Sequence, residues 1–161
     1  MELAGAISHV TDLEAELVAL YPGLARRLAL VLRDRDAAQD VAQAAIARAL
    51  EHQRRFRGGD VRAWLYTIGL RLAFNELRRR RTVQARHASE EPTWAIETDP
   101  DLWIALAAIE PRQRAALLLS VLEGYTHAEI GRILGVPEGT VSSWLSRTKD
   151  RLRSILVEDD R

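Results

Sequence analysis

The chain has no cysteine, one methionine and a single lysine. Without thiols it forms no disulfide and builds no thiolate metal site. Its four histidines, His9, His52, His87 and His127, are scattered and lack the spacing of a ligand set, so no metal and no cofactor is expected. No apolar run approaches the roughly 20 residues that span a bilayer, and the first residues lack the basic-then-apolar order of an export signal. The expectation is a cytoplasmic location without membrane insertion. Nucleophile–base pairs, a phosphate-binding loop and a metal cluster are also missing, which sets catalysis aside and predicts a binding protein.

A hydrophobic share of 47% in 161 residues supports a folded core, enough for one domain or two small ones. Of the 23 basic residues 22 are arginine, a bias that phosphate recognition and GC-rich coding would both produce. The net charge is zero, yet the charges are segregated. Residues 54–86 hold ten arginines against two acids, whereas residues 87–110 hold six acids and no base. Local potential, rather than the total, attracts a polyanion.

Apolar spacing is helical throughout, with no alternating strand-like run. Thr11–Glu14 reads as a capping box opening a helix that Pro22 ends or restarts. A second helix is predicted over 22–33, and a third from Asp36 along the row Ala38, Val41, Ala42, Ala45, Ile46 and Ala49. The "FRGGD" segment, Phe56–Asp60, breaks the chain, and Asp60 caps a fourth helix over 61–81. On that helix Val61, Trp64, Leu65, Ile68 and Leu72 form one apolar face, and Leu70, Phe74 and Leu77 another. Between them Thr67, Arg71, Asn75 and Arg78 fall in one polar row. Residues 82–100 are polar and acidic, with two prolines, and read as a flexible linker. Beyond it, Asp99–Pro100 and Glu110–Pro111 open helices, Thr126–Glu129 is a capping box, and Gly135 makes the turn into a last helix after Pro137.

The turn at Gly135, with Gly131 small where two helices cross, outlines a helix–turn–helix. Val141, Leu145, Thr148, Leu152 and Ile155 form the inward row of the last helix, while Ser142, Ser143, Ser146 and Arg147 face outward. Small hydroxyls and arginine on an exposed helix face can approach base edges and phosphates. Trp144 lies about 60° from the inward row at 100° per residue, which suits either seating the helix or touching the groove wall. Phe56, beside Arg55 and Arg57, is either a core plug below its loop or a stacking platform for an unpaired base.

Taken in order, "DVAQAAIARAL", "FRGGDVRAWLYTIG", "LRRRR", the acidic stretch and "LEGYTHAEIGRILGVPEGTVSSWLSRTKDRL" resemble the extracytoplasmic-function (group IV) sigma factors of bacterial RNA polymerase over residues 11–157. The resemblance implies an all-α fold of two small domains. Residues 1–81 would be a sigma-2-like helix bundle, 82–100 the linker, and 101–161 a sigma-4-like helix–turn–helix. It implies a protein that binds core RNA polymerase, at the clamp helices of the largest subunit and the flap of the second largest, and directs initiation at promoter DNA. An anti-sigma factor is the expected control partner.

By position, Asp40 and Gln43 match the polymerase-docking motif. Phe56, Arg57, Arg62, Arg71, Asn75, Arg78, Arg79, Arg80 and Arg81 form the minus-ten set. Thr140, Ser142, Ser143, Trp144, Ser146, Arg147, Lys149 and Arg151 form the minus-thirty-five set. Ala44 stands where the family commonly carries Glu, and Leu70–Arg71 where it commonly carries Arg–Asn. Two other readings use parts of the same pattern. One is a sigma-like decoy that binds an anti-sigma factor; the other is a helix–turn–helix regulator that acts without polymerase.

Overall fold

A computed structural model describes the backbone of residues 2–84 and 100–158, and the side chains of 12–83 and 103–155. Among the described residues there are seven α-helices and no strand. They are α1 (Glu2–Leu32), α2 (Arg35–Glu51), α3 (Val61–Gln84), α4 (Pro100–Ala107), α5 (Pro111–Val121), α6 (His127–Leu134) and α7 (Glu138–Glu158), with a short 3-10 turn at Gln53–Arg55. None is long and apolar enough to cross a membrane. The linker expected over 82–100 lies mostly outside the described residues.

The first three helices pack on one another around Leu17, Leu24, Leu28, Val31, Ala38, Ala42, Ala45, Leu65 and Ala73. The alanine row of α2 lets its partners approach closely, as at Gly69 of α3, where an added Cβ would meet Leu24 at 3.1 Å. Two sequence expectations change in this module. One unbroken helix replaces the two expected on either side of Pro22, and it runs through Thr11–Glu14 rather than starting there. Pro22 and Val18, four residues before it, are both exposed, so the helix bond that proline removes falls on the hydrated side. The cap of α2 is Asp34, not Asp36: its carboxylate accepts the Ala37 N–H at 2.8 Å. Asp60 caps α3 as expected, accepting the Ala63 N–H at 3.0 Å.

The last three helices form the second module around Ala115, Leu118, Leu119, Ile130, Leu134, Val141 and Leu145. Thr126 and Glu129 close a reciprocal capping box at α6, and Gly135 ends it in the left-handed region at φ 68°. Gly131 carries no side chain where the chain doubles back, because a Cβ there would lie 2.7 Å from the Val136 carbonyl oxygen.

The two modules are packed against each other, α5 on the end of α1 and α5–α6 on α3. Arg114 of α5 is 5% exposed. Its guanidinium donates to the carbonyls of Val31 at 2.6 Å and Leu30 at 3.4 Å in the last turn of α1, and to Ile109 at 2.8 Å. It thereby occupies acceptors that a helix C-terminus leaves open and sits at the negative end of the α1 dipole. Burial, with help from nearby Arg33 and against Glu110, pulls its pKa down to about 10, so it stays charged at neutral pH. Glu123, after α5, makes the second joint. Its carboxylate, 8% exposed, accepts from Arg27 at 2.7 Å, Arg62 at 3.3 Å and Tyr66 at 2.9 Å, all in the first module. Tyr125 donates to Asp60 at 2.9 Å. Burial, reinforced by these carboxylates, pushes both tyrosine hydroxyls above their ordinary range and keeps them donors.

Candidate nucleic-acid interface

Helix α3 carries the polar row expected of it. Arg71, Asn75 and Arg78 are exposed along one side, whereas Thr67 is half-buried and donates to the Ala63 carbonyl at 2.9 Å. The arginine run divides into two kinds. Arg79 is tied to Glu76 by two hydrogen bonds of 3.0 and 2.9 Å, and half-buried Arg80 bridges Glu76 at 2.9 Å and Asp34 at 2.7 Å. Arg80 thereby fastens α3 to the start of α2, whereas the Arg79 pair stays within α3. Arg78 and Arg81 remain exposed, with Arg78 reaching the Asn75 side-chain oxygen at 3.2 Å.

The loop before α3 turns at Gly58 and Gly59, whose φ angles of 87° and 98° suit glycine. Phe56 is half-buried, its ring 5.2 Å from that of Trp64 at a 39° tilt. Phe56 is thus part of the core packing, and it also lines a cavity of about 370 Å3 with Asp12, Glu16, Gln53 and Arg54. Arg57 is exposed. Arg62 stands apart from its set, because its guanidinium is engaged by Glu123 of the second module.

On α2, Asp40 and Gln43 are both exposed. Asp40 lines a groove of about 640 Å3 with Ala44, Leu72, Asn75 and Arg79, so it shares a surface with two of the residues expected to contact the minus-ten element. On α7, Val141, Leu145 and Thr148 are buried, and Ser142, Ser143, Ser146, Arg147, Lys149 and Arg151 are exposed. Thr140 is half-buried. Trp144 is half-buried against the core, so at least part of its indole seats the helix. Arg147 bends back to the Ser143 carbonyl at 3.3 Å. The face of α7 presented to solvent is therefore rich in hydroxyls with a few cations.

Glu129 supports this unit by accepting the Thr126 backbone N–H at 2.8 Å and its hydroxyl at 2.9 Å. Those two bonds, the backbone one first, hold its carboxyl below the ordinary glutamate range. A depressed carboxyl stabilises the fold above its unfolded pKa and loses that contribution as pH falls through its folded one. Glu129→Gln is expected to melt below the parent protein at neutral pH, with the gap closing in acid. A thermal melt series across pH checks it, and a gap independent of pH would refute it.

Sequence reading missed Arg114, Glu123 and Tyr125. The available signal for Arg114 was a charge next to the apolar run of α5. Glu123 and Tyr125 flank Gly124 in an ordinary-looking turn, and nothing in their spacing announces partners more than fifty residues away.

Comparison with known proteins places both modules. Residues 17–83 match the model for Sigma-70 region 2, and residues 101–152 match that for Sigma-70, region 4. The chain is 30% identical over 157 residues to the ECF RNA polymerase sigma factor SigE of Mycolicibacterium smegmatis, covering 89% of this chain and 61% of that protein. It is 30% identical over 141 residues to the RNA polymerase sigma factor CarQ of Myxococcus xanthus, covering 81% of each. Among solved structures, the sigma factor RpoE of Bartonella quintana, in complex with the anti-sigma factor NepR, superposes with a TM-score of 0.81 at 28% identity. The match covers 93% of this chain and 99% of that one. Two region models in the right order, and relatives matched along most of their length, agree with the paired cationic faces of α3 and α7: the chain belongs to the extracytoplasmic-function sigma factors of bacterial RNA polymerase.

Proposed function

We propose that the chain recruits core RNA polymerase to promoters as a two-handed reader without chemistry of its own, acting in the bacterial cytoplasm. The observation that carries this reading is one chain of this family with two separate cationic, hydrogen-bonding faces, Arg71–Asn75–Arg78 on α3 and Ser142–Ser146–Arg147 on α7. In this division of labour, residues 1–81 dock on the polymerase through Asp40 and Gln43 and hold the minus-ten strand along α3. The cavity beside Phe56 receives an unstacked base. Residues 101–161 read the minus-thirty-five duplex through α7, and 82–100 connect the two.

Promoter binding requires the modules to separate. The two elements lie about 25 base pairs apart by name, roughly 85 Å at 3.4 Å per pair, whereas a compact chain of this length has a radius of gyration of about 15 Å. The packed arrangement is then the resting form. The RpoE match supports an anti-sigma factor as the partner that holds it, since a TM-score of 0.81 over 93% of the chain needs both modules in similar relative places.

The test is transcription from genomic promoter fragments with purified core polymerase. Arg71→Glu combined with Arg78→Glu is expected to lower open-complex formation by at least about a hundredfold while core binding persists. These two are chosen because Arg80 ties α3 to Asp34 and Arg79 is engaged by Glu76. Loss of core binding in that variant would sink the division of labour. A chain that yields no transcript yet binds an anti-sigma factor would be a decoy. A strong duplex shift without polymerase would make it an independent regulator.

A further inference from the structure

A cavity of about 130 Å3 opens where α3 of the first module meets α5 and α6 of the second. Arg71 and Arg78 line it from α3, Arg112 from α5 and Arg132 from α6, and no carboxylate joins them. Five other arginines are matched to acids, Arg27 and Arg62 to Glu123, Arg79 and Arg80 to Glu76, and Arg153 to Asp150. None of these four forms an ion pair among the described residues. Arg78 reaches the Asn75 side-chain oxygen, and Arg112 lies 5.3 Å over the Phe74 ring. Asn75 accepts through its oxygen and so keeps its amide N–H2 to donate into the same space.

We infer that this crevice is a binding site for a short phosphate chain, a di- or triphosphate either free or as the tail of a nucleotide. Guanidinium forks pair bidentately with phosphate oxygens, and four of them converging from two sides call for several anionic groups rather than one. Leu70, Phe74 and Ile133 also line the crevice, and the four arginines are exposed, so they are open to a ligand arriving from solvent.

Because its two walls belong to different modules, the site exists only in the packed form. A bound phosphate chain neutralises the repulsion between those walls and stabilises packing by mass action. It also occupies Arg71 and Arg78. The site goes beyond the promoter reading, and only its competition with the minus-ten strand rests on that reading.

The experiment is calorimetric titration of the full chain with sodium tripolyphosphate at physiological salt. Parallel titrations use a nucleoside triphosphate, and sulfate at matched ionic strength. Saturable one-to-one binding of tripolyphosphate is expected, with none for sulfate. Arg71→Ala and Arg132→Ala, on opposite walls, should each weaken binding about tenfold. Arg48→Ala, on an exposed face of α2 away from the crevice, should not change it. Tighter binding of the nucleotide identifies it as the ligand, and equal affinity identifies the phosphate chain itself. Absence of saturable heat, or equal losses in the Arg48 and Arg132 variants, overturns the site whatever the transcription assay returns.

Discussion

Replacing Arg114 with methionine is expected to separate the two modules while leaving the helices intact. Methionine fills a similar space and donates nothing, so the carbonyls of Val31, Ile109 and Leu30 lose the guanidinium that meets them at 2.6, 2.8 and 3.4 Å. Exchanging a buried charge for an apolar isostere is often neutral when both partners are exchanged. Here the acceptors are backbone and remain behind. Each stranded carbonyl costs about 1–3 kcal/mol, against which the relief of a desolvated charge must be set. A net of about 3 kcal/mol, on the order of a hundredfold in the ratio of packed to separated forms, is the expectation.

The carbonyls regain water as soon as the interface opens, so opening rather than unfolding is the response. The chain has no native cysteine, which allows dye pairs at Arg48→Cys and Ser143→Cys, one in each module. Energy transfer should fall in the Arg114→Met background while far-ultraviolet dichroism stays constant. Unchanged transfer would show that Arg114 does not hold the modules together.

Gly131→Ala is expected to damage the helix–turn–helix itself. Alanine normally stabilises a helix by up to about 1 kcal/mol over glycine. At this position its Cβ would lie 2.7 Å from the Val136 carbonyl oxygen and 3.5 Å from the Glu138 nitrogen. Both are backbone atoms in the turn, and neither can rotate away as a side chain would. The Gly131 carbonyl also accepts the Val136 N–H at 2.9 Å, so moving one strand of the turn breaks the bond that closes it. Overpacking of this kind costs about 1–3 kcal/mol and overrides the propensity gain.

The second module should therefore lose about 2 kcal/mol net, with faster amide exchange in α6 and the start of α7. Gly139→Ala provides the contrast, since a Cβ there meets nothing within 4 Å. It should be neutral or stabilising by about 0.5–1 kcal/mol. Equal stability of the two variants would contradict the close crossing at Gly131.

Local chemistry made much of this protein legible from its residues. The capping box at Thr126–Glu129, the cap at Asp60, the left-handed turn at Gly135 and the inward row Val141–Leu145–Thr148 are all as spacing predicted. Each depends on neighbours within about one helical turn. Pro22 misled for the complementary reason: its cost depends on whether water can reach the freed carbonyl, and only the packing of α1 says that this side is exposed. Asp36, where the spacing starts the third helix, lies in the first turn of α2 behind the true cap Asp34, because an acid suits both places.

Charge is where tertiary structure decided most. The sequence established that residues 54–86 are strongly basic and that α3 and α7 each present a polar, cationic face. It could not distinguish Arg79 and Arg80, spent on Glu76 and Asp34, from Arg78 and Arg81, left exposed. Nor could it show that two modules read as tethered would pack together through Arg114 and Glu123. An arginine's role is set by which acceptor lies within hydrogen-bond reach, and across the two modules those acceptors are 61 to 96 residues away along the chain. Periodicity reports which face of a helix is buried; only the assembled fold brings those distant partners together.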